Sequence, residues 1–271
     1  MKNLKLPTES CLNKTFSKKD AIKNISYSME ILGRQLEGLQ IIYEYESIIS
    51  SISKTLDELS DNIINAGCSE DYVEAYKQWG DFGWSFNASI NKKFFLNAPN
   101  SLQEADALMQ EYCKSEEISK MMTELKFFNV NQKDLEEAYF SYINHKYKSS
   151  AMLLFSLIDS QLISRSFFTA DGNYLKTGAS AIGTLKKDEK AHKQNTHLHY
   201  LQFSLIIRCL LALFQNYKNF ENEPSIINRN FLIHGMSKKE VNEIDCFKIW
   251  SALYSFVVIY PELEKNIWNN V

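Results

Sequence analysis

The chain has 271 residues, 45% of them hydrophobic and 13% aromatic, enough to bury one large core or two modest ones without disulfides or metals. Its formal net charge of −3 gives no general attraction to polyanions, so any nucleic acid would have to be held by a local basic patch. Five scattered cysteines (Cys11, Cys68, Cys113, Cys209, Cys246), no C-x-x-C pair and no secretory start point to a reducing cytoplasm, with the thiols as small core or surface residues.

Only four prolines and nine glycines punctuate the chain, and the segments between them show helical period, so the predicted fold class is all-α. After a polar, lysine-rich start over residues 1–18, apolar residues at helical spacing over 19–65 predict one long helix, or two joined by a kink at Gly33 or Gly38. Residues 71–90, DYVEAYKQWGDFGWSFNASI, predict an aromatic-rich helix pair or one helix kinked around Gly80 and Gly83. The aromatic set Tyr72, Tyr76, Trp79, Phe82, Trp84 and Phe86 reads as core rather than as a platform for stacking bases. Ser101 and Glu104 then stand in capping-box spacing ahead of Ala105, Leu108, Met109 and Tyr112. A short amphipathic piece follows over 117–128. The polar NVNQKD at 129–134 is the predicted boundary between an N-terminal helical region (1–130), serving as sensor, regulatory element or dimer surface, and a second helical domain (131–271).

In that second part, two helices or one bent helix are predicted over 135–147 and 149–168. Residues 169–197 carry three glycines and a lysine cluster, which suits a loop holding one short helix. A helix over 198–217 follows; its apolar run LQFSLIIRCLLALF is too short to span a bilayer and contains Arg208, so it reads as buried in a bundle. A closing helix is predicted over 238–260, stopped by Pro261. No repeat of fixed period and no low-complexity tract is present.

Chemistry concentrates in SIINRNFLIHGMSKKE, residues 225–240. A chain with only four arginines and five histidines places Arg229 and His234 together, with Asn230 between them and Gly235 directly after. Pro224 suits a first helical turn and Gly235 a helix end, which predicts a helix over 224–234, with Ser237 and Glu240 spaced to cap the next one. At 100° per residue Arg229 and His234 lie about 140° apart around such a helix, whereas Asn230 and His234 share a face. Asn230 is therefore predicted to orient the imidazole. The helix dipole favours a protonated His234 and the neighbouring arginine opposes it, an arrangement suited to a general acid or base. An arginine in place of a lysine fits a forked set of oxygens, because guanidinium binds phosphate bidentately and keeps its charge.

Arg229-Asn230-Phe231-Leu232-Ile233-His234, near the end of a helical region, resembles the R-x4-6-H signature of HEPN-domain proteins, in which a polar residue commonly follows the arginine. The resemblance covers roughly residues 130–262 and leaves the first 130 residues unmatched. It implies a helical bundle that pairs as a homodimer so that two motifs face one another, acting as a metal-independent ribonuclease with no cofactor. In that scheme an RNA 2′-hydroxyl attacks the adjacent phosphate; His234 moves the proton, Arg229 stabilises charge on the phosphorane and Asn230 positions one oxygen. Family members commonly serve as toxins or antiphage abortive-infection nucleases, so an antitoxin or a phage-derived trigger is an expected partner.

Several other residues carry alternatives. Asp159 and Arg208 are charges inside apolar helices; they pair with each other or reach a helix edge, or else Asp159 approaches Arg229 or His234 and orients it. Lys186, Lys187, Lys190 and Lys193 form either a solvated face or a sequence-independent RNA contact. His192, His197 and His199 lack a nearby cysteine or acidic ligand, and read as a solvated loop-to-helix junction rather than a metal site. The phosphate-loop, dinucleotide-binding, zinc-protease and serine-hydrolase motifs are absent. The alternative to a nuclease is a non-catalytic helical module of the same shape that binds RNA, a nucleotide or a partner protein.

Overall fold

The computed structural model describes residues 70–166, 176–185, 197–217 and 220–268. The helix expected over 19–65, and much of 169–197, lie outside them. The described elements are all helical, with no strand among them, as the low turn content predicts.

Helix α1 (Glu70–Asp81) buries Ala75, Tyr76, Trp79 and Gly80 on one stripe, and that stripe lies along α7 (His197–Phe214). Gly80 marks the closest approach. A Cβ there would stand 2.6 Å from Arg208 Cβ and 2.8 Å from the Leu205 carbonyl oxygen, so the two backbones meet where only glycine fits. The helix pair, or kinked helix, expected around Gly80 and Gly83 is one helix that ends at Asp81. Gly83 takes φ 79°, and its N–H donates to Gly80 O (2.8 Å) while Trp84 N–H donates to Trp79 O (3.1 Å), closing the helix on a left-handed glycine. The chain beyond delivers Trp84 and Phe86 to the core, and a 3-10 turn, Lys92–Leu96, sets Phe95 edge-on to Trp79 with centroids 5.6 Å apart. The aromatic set is core, as its spacing suggests.

Helix α2 (Leu102–Met109) starts where predicted: Ser101 Oγ accepts from Glu104 N at 3.2 Å, although the Glu104 carboxylate turns to Asn100 N (2.7 Å) instead of completing a capping box. Next come α3 (Ser115–Leu125) and α4 (Gln132–Ile143), the latter capped by Asn131. A short turn joins α4 to α5 (Tyr147–Ser166), making a helical hairpin. The NVNQKD stretch, expected to separate two domains, supplies the turn and cap between α3 and α4. Leu125, Val130 and Leu135 on either side of it are buried in the same core, within one compact unit that runs from Ile63 to Val271.

After α6 (Gly178–Leu185) and α7 come α8 (Arg229–Ile233) and α9 (Glu243–Tyr254). Every residue from Cys246 to Tyr254 is buried, so α9 is apolar-packed all round, against α3, α5 and α7. It carries Lys248, which is 1% exposed. Its ammonium donates to Asp106 Oδ1 (2.7 Å) above the Trp84 ring, and Trp84 Nε1 donates to the same oxygen (2.8 Å). One carboxylate thus satisfies two donors that burial would otherwise strand.

The closing helix differs from expectation at both ends. It begins at Glu243 because Asn242 and Asp245 form the capping box, while Ser237 is engaged elsewhere. It also continues past Pro261: residues Ser255–Ile259 form a π-turn, with Tyr260 N–H on Ser255 O, before α10 (Tyr260–Trp268). Proline lacks an N–H and collides with the carbonyl four residues back in a regular helix, and the wider π register immediately before it removes both conflicts. Cys209 and Cys246 are buried and Cys113 half-buried; burial pushes the Cys113 thiol up to about 12, and raises the other two as well. Among the described residues no helix is long and apolar enough to cross a membrane.

Gly80→Ala is expected to destabilise the protein by about 1–3 kcal/mol, because the added methyl must push two helix backbones apart. Urea denaturation measures it, and an unchanged midpoint would mean that α1 and α7 do not meet so closely.

Candidate functional site

The segment around α8 is built by its caps. Helix α8 is shorter than the predicted 224–234 span, because Asn228, not Pro224, starts it. Asn228 is extended (φ −130°), and its Oδ1 accepts from Asn230 N (3.0 Å) and Phe231 N (3.3 Å). Its amide nitrogen donates to Gln215 O (3.1 Å), tying the cap to the end of α7. At the other end Gly235 takes φ 68°, with Gly235 N on Leu232 O (3.2 Å) and Met236 N on Phe231 O (2.8 Å). That is a Schellman closure, the helix end that the glycine predicts, and it leaves His234 as the C-cap residue. Glu223 holds the outgoing chain, accepting from Ser237 Oγ (2.6 Å) and Lys238 N (2.9 Å).

Arg229 leaves the first turn of α8 and reaches α5. Its Nε (2.9 Å) and Nη2 (2.7 Å) both donate to Asp159 Oδ2, while Nη1 donates to Asn230 Oδ1 (3.0 Å). Asp159 therefore does not pair with Arg208, which instead bonds Asp81 Oδ2 (2.6 Å) at a helix edge. Asp159 Oδ1 is buried with no hydrogen-bond partner among the described residues, so the carboxylate depends on the guanidinium for its place in the bundle. The side chains are 24% exposed for Arg229 and 13% for Asp159, which keeps the pair at the bundle surface. A guanidinium has five N–H donors; three are engaged here, and among the described residues two have no partner.

Asn230 does not orient His234. Its side chain accepts from Arg229 and donates to Asn216 Oδ1 (2.6 Å) and Gln215 O (3.3 Å), so its link to the histidine is through the backbone alone, His234 N on Asn230 O (3.2 Å). A five-residue helix followed by a Schellman turn does not carry the shared face that a longer helix would give positions 230 and 234. The His234 residue is exposed, and its imidazole meets the Phe220 ring with centroids 5.6 Å apart at 66°. Phe220 is half-buried, adopts φ 52°, and also packs edge-on to Phe231 (5.2 Å), which Tyr217 meets from its own side (5.6 Å). Such a backbone conformation costs a bulky residue about 1–2 kcal/mol, which local packing must offset.

The structure thus brings Arg229, Asn230 and Asp159 together, with His234 at the end of the same helix. Lys186, Lys187, Lys190 and Lys193 lie outside the described residues, as does His192. Among the described residues no group of three or more histidine, cysteine or acidic side chains could hold a metal ion. A cavity of about 320 Å³ opens between the chain segments flanking α8. Four carboxylates and two ammonium groups line it, a balance that disfavours a phosphate there.

Sequence reasoning missed Asn216, Phe220, Glu223 and Asn228. Asn228 carried a local signal, an N-cap residue directly before the arginine. The other three act across the connection between α7 and α8, and no spacing rule reaches them.

Arg229→Ala is expected to lower stability by about 1.5–3 kcal/mol, since it removes charge-assisted hydrogen bonds from a mostly buried carboxylate. Adding Asp159→Asn should recover part of the loss, because a neutral amide is less costly to leave unpaired. Urea denaturation of the two single variants and the double reports the coupling; strictly additive losses would show that the pair contributes nothing. No family model, curated protein or solved structure matches this chain, so the reading of the site rests on its geometry and on the R-N-x-x-x-H motif.

Proposed function

We propose that the chain is a HEPN-like endoribonuclease, metal-independent and working as a homodimer, from a toxin–antitoxin or antiphage abortive-infection system. The observation that carries this reading is a guanidinium held by Asp159 with two N–H groups that have no partner among the described residues, on the helix that ends in an exposed imidazole. A positioned, permanently charged fork and an accessible proton carrier are the two parts that phosphodiester transesterification needs when the nucleophile is supplied by the RNA itself.

On this reading a neutral His234 imidazole takes the proton of the RNA 2′-hydroxyl as that oxygen attacks the adjacent phosphorus. The free N–H groups of Arg229 bind a non-bridging oxygen, whose negative charge grows in the phosphorane. The P–O5′ bond breaks, and a protonated imidazole from the second copy of the chain returns a proton to the leaving oxygen. The products are a 2′,3′-cyclic phosphate and a 5′-hydroxyl. Asp159 touches no reacting atom; it aims the guanidinium by engaging Nε and one N–H of Nη2. Asn230 fixes the third side of the same fork.

One observation favours the second reading, a module that binds RNA, a nucleotide or a partner without cutting it. The Asn230 amide, expected to position a phosphorane oxygen, is already engaged by Arg229, Asn216 and Gln215.

The two readings part in one assay. Pure protein is incubated with total RNA in EDTA beside His234→Ala, which changes an exposed side chain and leaves the core alone. Cleavage by the parent and a loss of about 100-fold or more in the variant are expected for a proton-transfer residue. RNA left intact by a folded, dimeric parent protein would move the assignment to the binding module. Expression in a host cell gives a parallel check, in which growth arrest should be relieved by His234→Ala.

A further inference from the structure

We propose that Phe220 is the positioning residue for His234, holding the imidazole in the rotamer in which it works; the kinetic part of this proposal rests on the nuclease reading, the structural part does not. An exposed histidine on a helix C-cap has several staggered rotamers open to it, and proton transfer demands one of them. Among the described residues the imidazole makes no side-chain hydrogen bond. The Phe220 ring, 5.6 Å away, is the contact it does make.

Asn230, the residue whose spacing suggested this role, is held by Arg229, Asn216 and Gln215. Phe220 comes instead from the connection between α7 and α8, and its ring rests on Phe231 of α8 itself. That position is firmly determined. A phenylalanine at φ 52° persists only where its surroundings over-determine it, and the surroundings here are Phe231, which is 1% exposed and meets the Phe220 ring at 5.2 Å and 79°. A line of ring contacts therefore runs from the core through Phe231 to Phe220 and ends on the imidazole.

The test compares the parent with Phe220→Leu, which keeps apolar bulk and the same backbone strain but removes the flat ring, and with Phe220→Trp, which restores one. On a fluorogenic RNA oligonucleotide the leucine variant is expected to lose about 10- to 100-fold in kcat with KM unchanged, and tryptophan to recover most of it. The activity-independent readout is NMR. The His234 ring-proton resonances, identified by their loss in His234→Ala, should show a nuclear Overhauser contact with the Phe220 ring in the parent protein. They should move toward the free-histidine position in the leucine variant. Absence of that contact in the parent overturns the proposal without recourse to any variant. A raised KM with unchanged kcat also overturns it, since that outcome places the ring on the substrate. If the parent leaves RNA intact, the nuclease reading falls while the resonances still decide the role of Phe220.

Discussion

Two nitrogens of Arg229 donating to one oxygen of Asp159 join α8 to α5, and the geometry of the site follows from that junction. A five-residue helix has no stability of its own, because nucleation costs more than so few hydrogen bonds return. What holds α8 is external: the Asn228 cap bonded back to Gln215, the Schellman closure at Gly235, the buried Phe231 and Leu232, and the ion pair. The ion pair ties α8 to the α4–α5 hairpin through a side chain. The direction of the guanidinium is therefore inherited from the packing of α5 against α9, the helix buried on every side.

Two ion pairs among the described residues differ in how deeply the cation lies. The Lys248 side chain, 2% exposed, reaches from the core to Asp106, which is 27% exposed and also accepts from Trp84. Burial at that depth makes the pair a packing element. Arg229 and Asp159 form theirs at the bundle surface, and the arginine's larger donor set leaves N–H groups over after the carboxylate is satisfied. A lysine at 229 would bring three donors on one atom, and could not keep a planar fork aimed at both an internal carboxylate and an external anion.

Legibility from sequence followed the range of the interactions involved. The all-α class, the cap at Ser101, the core role of Trp79 and Trp84 and the helix end at Gly235 were readable because each follows from residues within one or two turns of chain. The length of α8, the start of α9 and the passage through Pro261 were misread for a shared reason. Several cap-competent residues stood close together, and tertiary contacts chose among them: Ser237 went to Glu223, leaving Asn242 to cap, and the π-turn made room for the proline. The partner of Asp159 was one of two weighed alternatives. Which arginine it meets depends on Asp81, more than seventy positions earlier, having taken Arg208. No periodicity carries that information.

The same tertiary assignments bear on why a second copy of the chain belongs in the nuclease reading. Within one chain the two ends of the motif are tied to different neighbours, Arg229 to Asp159 on α5 and His234 to Phe220 on the connection after α7. The two side chains are thus fixed by different neighbours on different elements. Proton transfer also has two stages, removal from the 2′-oxygen and return to the 5′-oxygen, on opposite sides of one phosphorus, and each chain supplies one His234. In the nuclease reading proposed above, a two-fold axis beside α8 would set an imidazole on each side of the phosphate and add a second guanidinium. In that proposed arrangement Asp159 would keep its hold on the arginine and Phe220 its contact with the histidine in each chain, and the second copy would supply the other imidazole.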